Sequence, residues 1–147
     1  MTDEWRDNLM ENGAGVADIL RSARRIAVLG IKTEAQSGQP AFSVPQYLQQ
    51  AGYEIIPVPV YYPQVTEILG QPVYRSVSAI PEPVDLVLVF RRSTDVPEHV
   101  DDLISARPGA VWMQSGIRNE GAAMRLAEAG IPTVQDRCAM VEHRSLS

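Results

Sequence analysis

Two places in this chain put cationic side chains just past an apolar run. Lys32, the only lysine, lies two residues beyond Ile26-Ala27-Val28-Leu29-Gly30, and Arg91-Arg92 follow Val84-Asp85-Leu86-Val87-Leu88-Val89-Phe90. A short aliphatic run closed by glycine reads as a buried parallel strand, and the turn after such a strand is where α/β nucleotide-binding domains meet phosphate. The polar stretch Ile31 to Pro40 occupies that turn. The ordinary alternatives are a solvated lysine and arginines paired with Asp95, Glu98 or Asp101 on the segment that follows.

Other reactive groups are sparse. His99 and His143 are the only imidazoles, far apart and without a carboxylate or nucleophile at triad spacing, so no catalytic residue is assigned and the chain is expected not to be an enzyme. Cys138 is the single cysteine, which rules out an intramolecular disulfide and cysteine-based zinc sites, and no metal site is expected. It reads as a small buried hydrophobe, with a redox-active thiol as the alternative.

Composition narrows the class. A chain of 147 residues fits one domain, and a net charge of -5 argues against a general nucleic-acid surface. No apolar stretch approaches the roughly 20 residues of a membrane span, and the first residues lack a secretory pattern, so a cytoplasmic location and no membrane partner are expected.

The elements that would position the cations follow from periodicity. Residues Asp7 to Arg25 carry Val16, Ile19, Leu20 and Ala23 at helical spacing, which predicts an N-terminal helical extension over 1–23. Strands are expected at Ile26–Leu29, Tyr53–Val60, Val84–Phe90, Ala110–Met113 and Ile131–Val134. Helices are expected at Ser43–Ala51, from Thr94 or Asp95 to Arg107, and at Asn119–Ala129. Pro45 is expected in a first turn, and Pro57 and Pro59 limit pairing at the end of the second strand. Residues Tyr61 to Pro83 form a long irregular connection with a turn at Leu69-Gly70.

This alternation predicts an α/β fold: a single-domain, Rossmann-like, doubly wound parallel five-stranded sheet with an N-terminal helix. The expected order is 3-2-1-4-5, with a crevice between the first and fourth strands lined by Gly30 to Pro40 and Gln114 to Ile117.

The ligand can be narrowed by what the crevice lacks. Gly30 and Gly38 are too far apart for G-x-G-x-x-G, the second strand ends without an acidic residue for ribose, and no G-x-x-x-x-G-K-[ST] occurs. Coenzyme A carries a pyrophosphate and a separate 3′-phosphate, and cations at two places suit it.

The ordered set Ile26-Ala27-Val28-Leu29-Gly30, Pro40, Tyr47-Leu48, Gly52-Tyr53, Pro57-Val58-Pro59, Pro83-Val84-Asp85, Val89-Phe90-Arg91, Trp112-Met113-Gln114-Ser115-Gly116-Ile117 and Asp136-Arg137-Cys138 resembles the stand-alone CoA-binding domain family. That family is similar to the N-terminal CoA-binding domain of the succinyl-CoA synthetase α subunit. The resemblance spans about Arg24 to His143 and implies non-covalent binding of CoA or an acyl-CoA. Carried over by position, Gly30, Ile31 and Lys32 would form the turn under the pyrophosphate, with Gln39 and Pro40 leading into the helix that faces it. Pro59 and Val60 would flank the adenosine. Phe90 and Arg91 would follow at the third strand's end with Val96 nearby, and Gln114 would lie on the pantetheine side. Arg91 or Arg92 is our inference for the 3′-phosphate. The chain departs from the family at Gln39-Pro40-Ala41, where Arg-Pro-Ser is common, and at Pro59-Val60, where Asn-Pro is common.

The leading expectation is therefore a CoA carrier, sensor or regulatory subunit, with a protein partner or a second copy of the chain left open. One alternative is an enzyme, either a nicotinamide-dependent oxidoreductase or part of an acyl-CoA ligase assembly. The other is a protein-interaction module without a small ligand, using Tyr61-Tyr62-Pro63 as its exposed surface.

Overall fold

The computed structural model describes residues 4–146, so Met1 to Asp3 of the N-terminal extension and Ser147 lie outside the described residues. Among the described residues seven strands form: β1 Arg25–Leu29, β2 Glu54–Val58, β3 Glu67–Ile68, β4 Gln71–Pro72, β5 Leu86–Val89, β6 Val111–Met113 and β7 Thr133–Val134. Five helices accompany them: α1 Gly13–Ser22, α2 Pro40–Gln50, α3 Val100–Ala106, α4 Glu120–Glu128 and α5 Ala139–Arg144. The main sheet is parallel and runs β2-β1-β5-β6-β7, while β3 and β4 make a separate two-residue hairpin.

Alternation within the strands divides the core in two. Ala27 and Leu29 of β1, Val87 and Val89 of β5, and Val111 and Met113 of β6 face Val100 and Leu103 of α3 and Ala122, Ala123 and Leu126 of α4. Ile26 and Val28, Leu86 and Leu88, and Trp112 face Val16 and Leu20 of α1, Phe42, Val44 and Leu48 of α2, and Ala139 of α5. Both faces of the sheet are covered, which is why its strands read as continuous apolar runs. Trp112 is fully buried, and its indole N–H donates to the Arg137 carbonyl at 2.8 Å. Among the described residues no helix is long and apolar enough to cross a membrane.

The expected strand order is corrected. In the numbering of the five predicted strands the sheet runs 2-1-3-4-5, and β5 pairs directly with β1 rather than outside β2. The reason lies in β2. Glu54 donates its N–H to Arg24, and Val58 accepts from Gly30, so alternate residues of β2 point toward β1 and Pro57 points away. With no N–H on Pro57, the outer side cannot carry a regular ladder, and β2 is an edge strand. The Pro57 carbonyl there accepts from Tyr74, in the connection after the hairpin.

Element boundaries also shift. The segment expected as one helix from Asp7 to Arg25 is a short 3-10 turn at Glu4–Asn8, then α1 capped by the Asn12 side chain on Gly15 N–H, and Arg25 already belongs to β1. The helix after Phe90 begins as 3-10 turns over Ser93–His99, with Arg92 rather than Thr94 or Asp95 at its N-cap. Helix α2 starts at Pro40, so Pro45 lies inside it rather than in its first turn. The Leu69-Gly70 turn closes the β3–β4 hairpin with both residues at positive φ, 54° and 75°.

Candidate functional site

The sheet reverses direction of winding between β1 and β5, so the crevice at its carboxyl edge lies between these two strands and not between the first and fourth predicted ones. A cleft of about 480 Å³ occupies this place, lined by Lys32, Gln39, Pro40 and Ala41 after β1, Phe90 to Ser93 after β5, and Gly116 and Ile117 after β6.

The loop between β1 and α2 is shaped by its own polar groups. Thr33 and Gln36 form a reciprocal capping box around a 3-10 turn, and Glu34 accepts the Leu69 N–H of the hairpin at 2.8 Å. Pro45 acts at a distance here. Lacking an N–H, it leaves the Ala41 carbonyl without its helical donor, and the Lys32 N–H takes that acceptor at 3.1 Å. The proline thus fixes the backbone of Lys32 against the first turn of α2. The Lys32 ammonium donates to the Gln39 side-chain oxygen, and Gln39, the N-cap of α2, makes no side-chain cap bond of its own. The helix therefore opens toward the cleft with a cation beside its positive end.

Gly30 has φ +86°, and a Cβ there would lie 2.2 Å from the Phe90 carbonyl oxygen. The close approach that demands glycine is thus between the ends of β1 and β5.

The two arginines differ sharply. Arg91 is only 10% exposed at its side chain and donates to Glu98 at 2.8 Å, to His99 Nε2 at 3.1 Å and to the Tyr61 hydroxyl at 3.2 Å. Burial works against its charge, but the hydrogen bonds to Tyr61 and Glu98 outweigh that and raise its pKa. Arg92 is 82% exposed and has one ion pair, to Asp95 at 3.0 Å. Arg91 is a clasp for the segment after β5, and Arg92 is the arginine free to reach an anion.

The remaining predicted residues are placed as follows. Ile31 and Val96 are core side chains, and Pro59 is buried. Val60 packs on the core, and none of these four lines the cleft. Gln114 is buried, with its side-chain oxygen accepting the Ala139 N–H at 3.0 Å, so it ties β6 to α5. Cys138 is half-buried against the core at the start of α5, also outside the cleft lining. Ala41 and Ser93 were not singled out as site residues by the sequence. Ser93 joins the two halves of the cleft: its hydroxyl accepts the Arg118 N–H at 3.0 Å, and its carbonyl accepts from the Asn119 side chain. Its position directly after an arginine pair at a strand end was the available signal.

His99 is held as an acceptor by Arg91, which requires a neutral ring. Burial pushes its pKa below the usual 6.5 and Arg91 pushes it further, against the opposing pull of Glu98, Asp102 and Asp95. The unfolded chain takes up this proton near the usual value and the folded chain resists it. This contribution to stability is therefore full above about pH 6.5 and is lost as pH falls toward the depressed folded value. The unfolding midpoint is expected to drop between about pH 7 and about pH 5, and His99→Gln to flatten that slope. Identical slopes for both proteins would show that His99 does not carry it.

The sequence profile of the CoA-binding domain family matches residues 24–144. This chain belongs to that family. Among its relatives, the uncharacterized protein YneT of Bacillus subtilis is 35% identical over 130 residues, 88% of this chain and 93% of its own length. A solved structure from Thermus thermophilus superposes with a TM-score of 0.82 at 40% identity, covering 90% of this chain and 97% of that one. The dinucleotide-forming acetyl-coenzyme A synthetase 1 of Ca. Korarchaeum cryptofilum shares the fold, with a TM-score of 0.58 at 21% identity over 74% of this chain and 25% of that one. The family's matched region contains every residue of the cleft, while α1 lies ahead of it.

Proposed function

We propose that this chain binds coenzyme A non-covalently, with the phosphates held in the cleft between the β1–α2 loop and the end of β5. The observation that carries this reading is the placement of Lys32 and Arg92 on separate walls of one cleft beside the start of α2. Two cationic positions suit a ligand with a pyrophosphate and a separate 3′-phosphate. Pro40, Ala41, Phe90 and Ile117 add apolar wall to the same cleft, suited to the pantetheine chain that leaves the pyrophosphate. Family membership supports CoA as the ligand.

The role is that of a carrier, sensor or regulatory subunit and not of an enzyme. The residues lining the cleft include no carboxylate and no imidazole, the groups that most often move protons in catalysis. Ser93 is the only hydroxyl among them, and it serves the neighbouring backbone.

Isothermal titration with CoA, acetyl-CoA, NAD, NADP and ATP tests the reading. Selective CoA binding at about micromolar affinity or tighter, near -8 kcal/mol, is expected. Preference for a nicotinamide cofactor would replace it with the oxidoreductase reading, and silence toward all five would favour an interaction module.

A further inference from the structure

A second pocket, of about 330 Å³, lies at the other edge of the sheet. Arg24 and Tyr53, the residues directly ahead of β1 and β2, line it, so it sits at the amino edge while the cleft sits at the carboxyl edge. Helix α2 separates the two. Pro40, its first residue, lines the cleft, and Ala51, its C-cap, lines the pocket, about 16 Å of helix apart. Leu20, Arg21 and Ala23 at the end of α1 and Leu146 after α5 complete the pocket, and all four lie outside the residues 24–144 that the family profile matches.

The pocket is cationic in a chain whose net charge is -5. Arg21, Arg24 and His143 line it, and no carboxylate does. Other guanidiniums are occupied: Arg25, Arg92, Arg118, Arg125 and Arg137 each pair with a carboxylate, and Arg75 serves backbone carbonyls. Among the described residues the side chains of Arg21 and Arg24 make no ion pair. Two carboxylates beside the pocket are taken. Glu54 is held by Arg25 at 3.3 Å, and Asp85 accepts the backbone N–H groups of Arg24 and Arg25 at 2.8 and 2.9 Å. The helix ends are closed as well: the Leu20 carbonyl accepts the Tyr53 hydroxyl at 2.6 Å, and the carbonyls of Ile19, Tyr47, Leu48 and Gln49 accept backbone N–H groups. The two arginines therefore set the charge of the pocket.

His143 adds a third group. Its Nδ1 engages the Tyr47 hydroxyl at 2.8 Å, and its ring meets Tyr53 edge-on with centroids 5.6 Å apart, which fixes the imidazole and leaves Nε2 to serve a ligand. When Tyr47 donates to Nδ1, Nε2 carries the ring proton. We infer that this pocket is a second ligand site, for a small phosphomonoester. Two guanidiniums and an imidazole N–H match the three terminal oxygens of a phosphate and outnumber the two of a carboxylate. Leu20, Ala23, Leu146 and the Tyr53 ring give apolar wall for a short carbon skeleton, and the volume is at the small end of ligand pockets. The site stands whether or not the cleft binds CoA.

The test is an NMR titration of the isotope-labelled full chain with glycerol 3-phosphate and, separately, with glycerate, which carries a carboxylate on a skeleton of the same length. Glycerol 3-phosphate should give saturable shifts at the amides of Ala51, Gly52 and Tyr53, with glycerate markedly weaker. Combining Arg21→Gln with Arg24→Gln should weaken glycerol 3-phosphate about tenfold or more and leave the rest of the spectrum in place, since both side chains are exposed. Combining Lys32→Ala with Arg92→Ala should leave the shifts at the pocket as in wild type. No saturable shift at the pocket, or unchanged affinity in the Arg21 and Arg24 variant, would overturn the site. Shifts confined to Lys32, Gly116 and Ile117 would assign the anion to the cleft and overturn it too. Equal affinity for glycerate would overturn the phosphate assignment.

Discussion

Gly30→Ala is expected to destabilise the fold by about 3–5 kcal/mol, combining roughly 1–3 kcal/mol for a side chain at positive φ with a similar amount for parting two packed strand ends. That is a large share of the 5–15 kcal/mol typical of a domain. The added methyl would sit 2.2 Å from the Phe90 carbonyl oxygen and 3.3 Å from Cδ of Arg91, and the first of these is backbone that cannot rotate away. Relief requires moving β1 from β5, and the Phe90 N–H bond to the Leu29 carbonyl, 2.8 Å, lies in that seam. Gly38 in the same loop is the control. It has no positive φ, and a methyl added there would meet nothing within 4 Å, so Gly38→Ala should be neutral or slightly stabilising. Denaturant unfolding of the two variants measures the contrast. If Gly30→Ala unfolds like wild type but loses CoA, the glycine serves the approach of a ligand, as its sequence context first suggests, and not the approach of a neighbouring strand.

Much of the fold was legible because buried parallel strands advertise themselves. Ile26 to Leu29 and Leu86 to Val89 are apolar on both faces, and no other element type explains such short runs bounded by turns. The order of the strands was harder, since a run of residues does not say on which side of β1 the chain returns. Pro57 held the answer, and extracting it required knowing that its position faces away from β1. Helix α5 was missed for a different reason: its six residues make a weak local signal, and the segment is held by tertiary contacts, including a 2.8 Å hydrogen bond between Tyr47 and His143.

The site was legible to the same depth. Lys32, Gln39, Pro40, Phe90, Arg91 and Arg92 come together because strand ends converge at the switch point whatever the exact order. Ile31, Val96 and Gln114 lie within a few residues of the cleft, yet their side chains point into the protein, a matter of phase that proximity along the chain does not reveal. Neither does proximity separate Arg91 from Arg92. Adjacent in sequence, one is consumed by His99, Glu98 and Tyr61 and the other stands in solvent.

That difference leads to a pattern across three variants and two ligands. Arg92→Ala removes an exposed side chain whose ion pair with Asp95 is worth at most about 1 kcal/mol, so stability should hardly move. Its CoA affinity should fall about tenfold or more, since a charge-assisted hydrogen bond is worth about 1.5–3 kcal/mol, while dephospho-CoA, which lacks the 3′-phosphate, should bind as to wild type. Lys32→Ala should weaken both ligands by the same factor, because the pyrophosphate is common to them. Arg91→Ala should instead lower stability by about 1–3 kcal/mol, because Glu98 and His99 lose the donor that clasps the segment after β5. Titration of both ligands alongside denaturant unfolding reads all three. An equal loss of CoA and dephospho-CoA in Arg92→Ala would remove Arg92 from the 3′-phosphate. Selective loss in Arg91→Ala at unchanged stability would transfer that role to Arg91 and mean that its protein partners release it when ligand arrives.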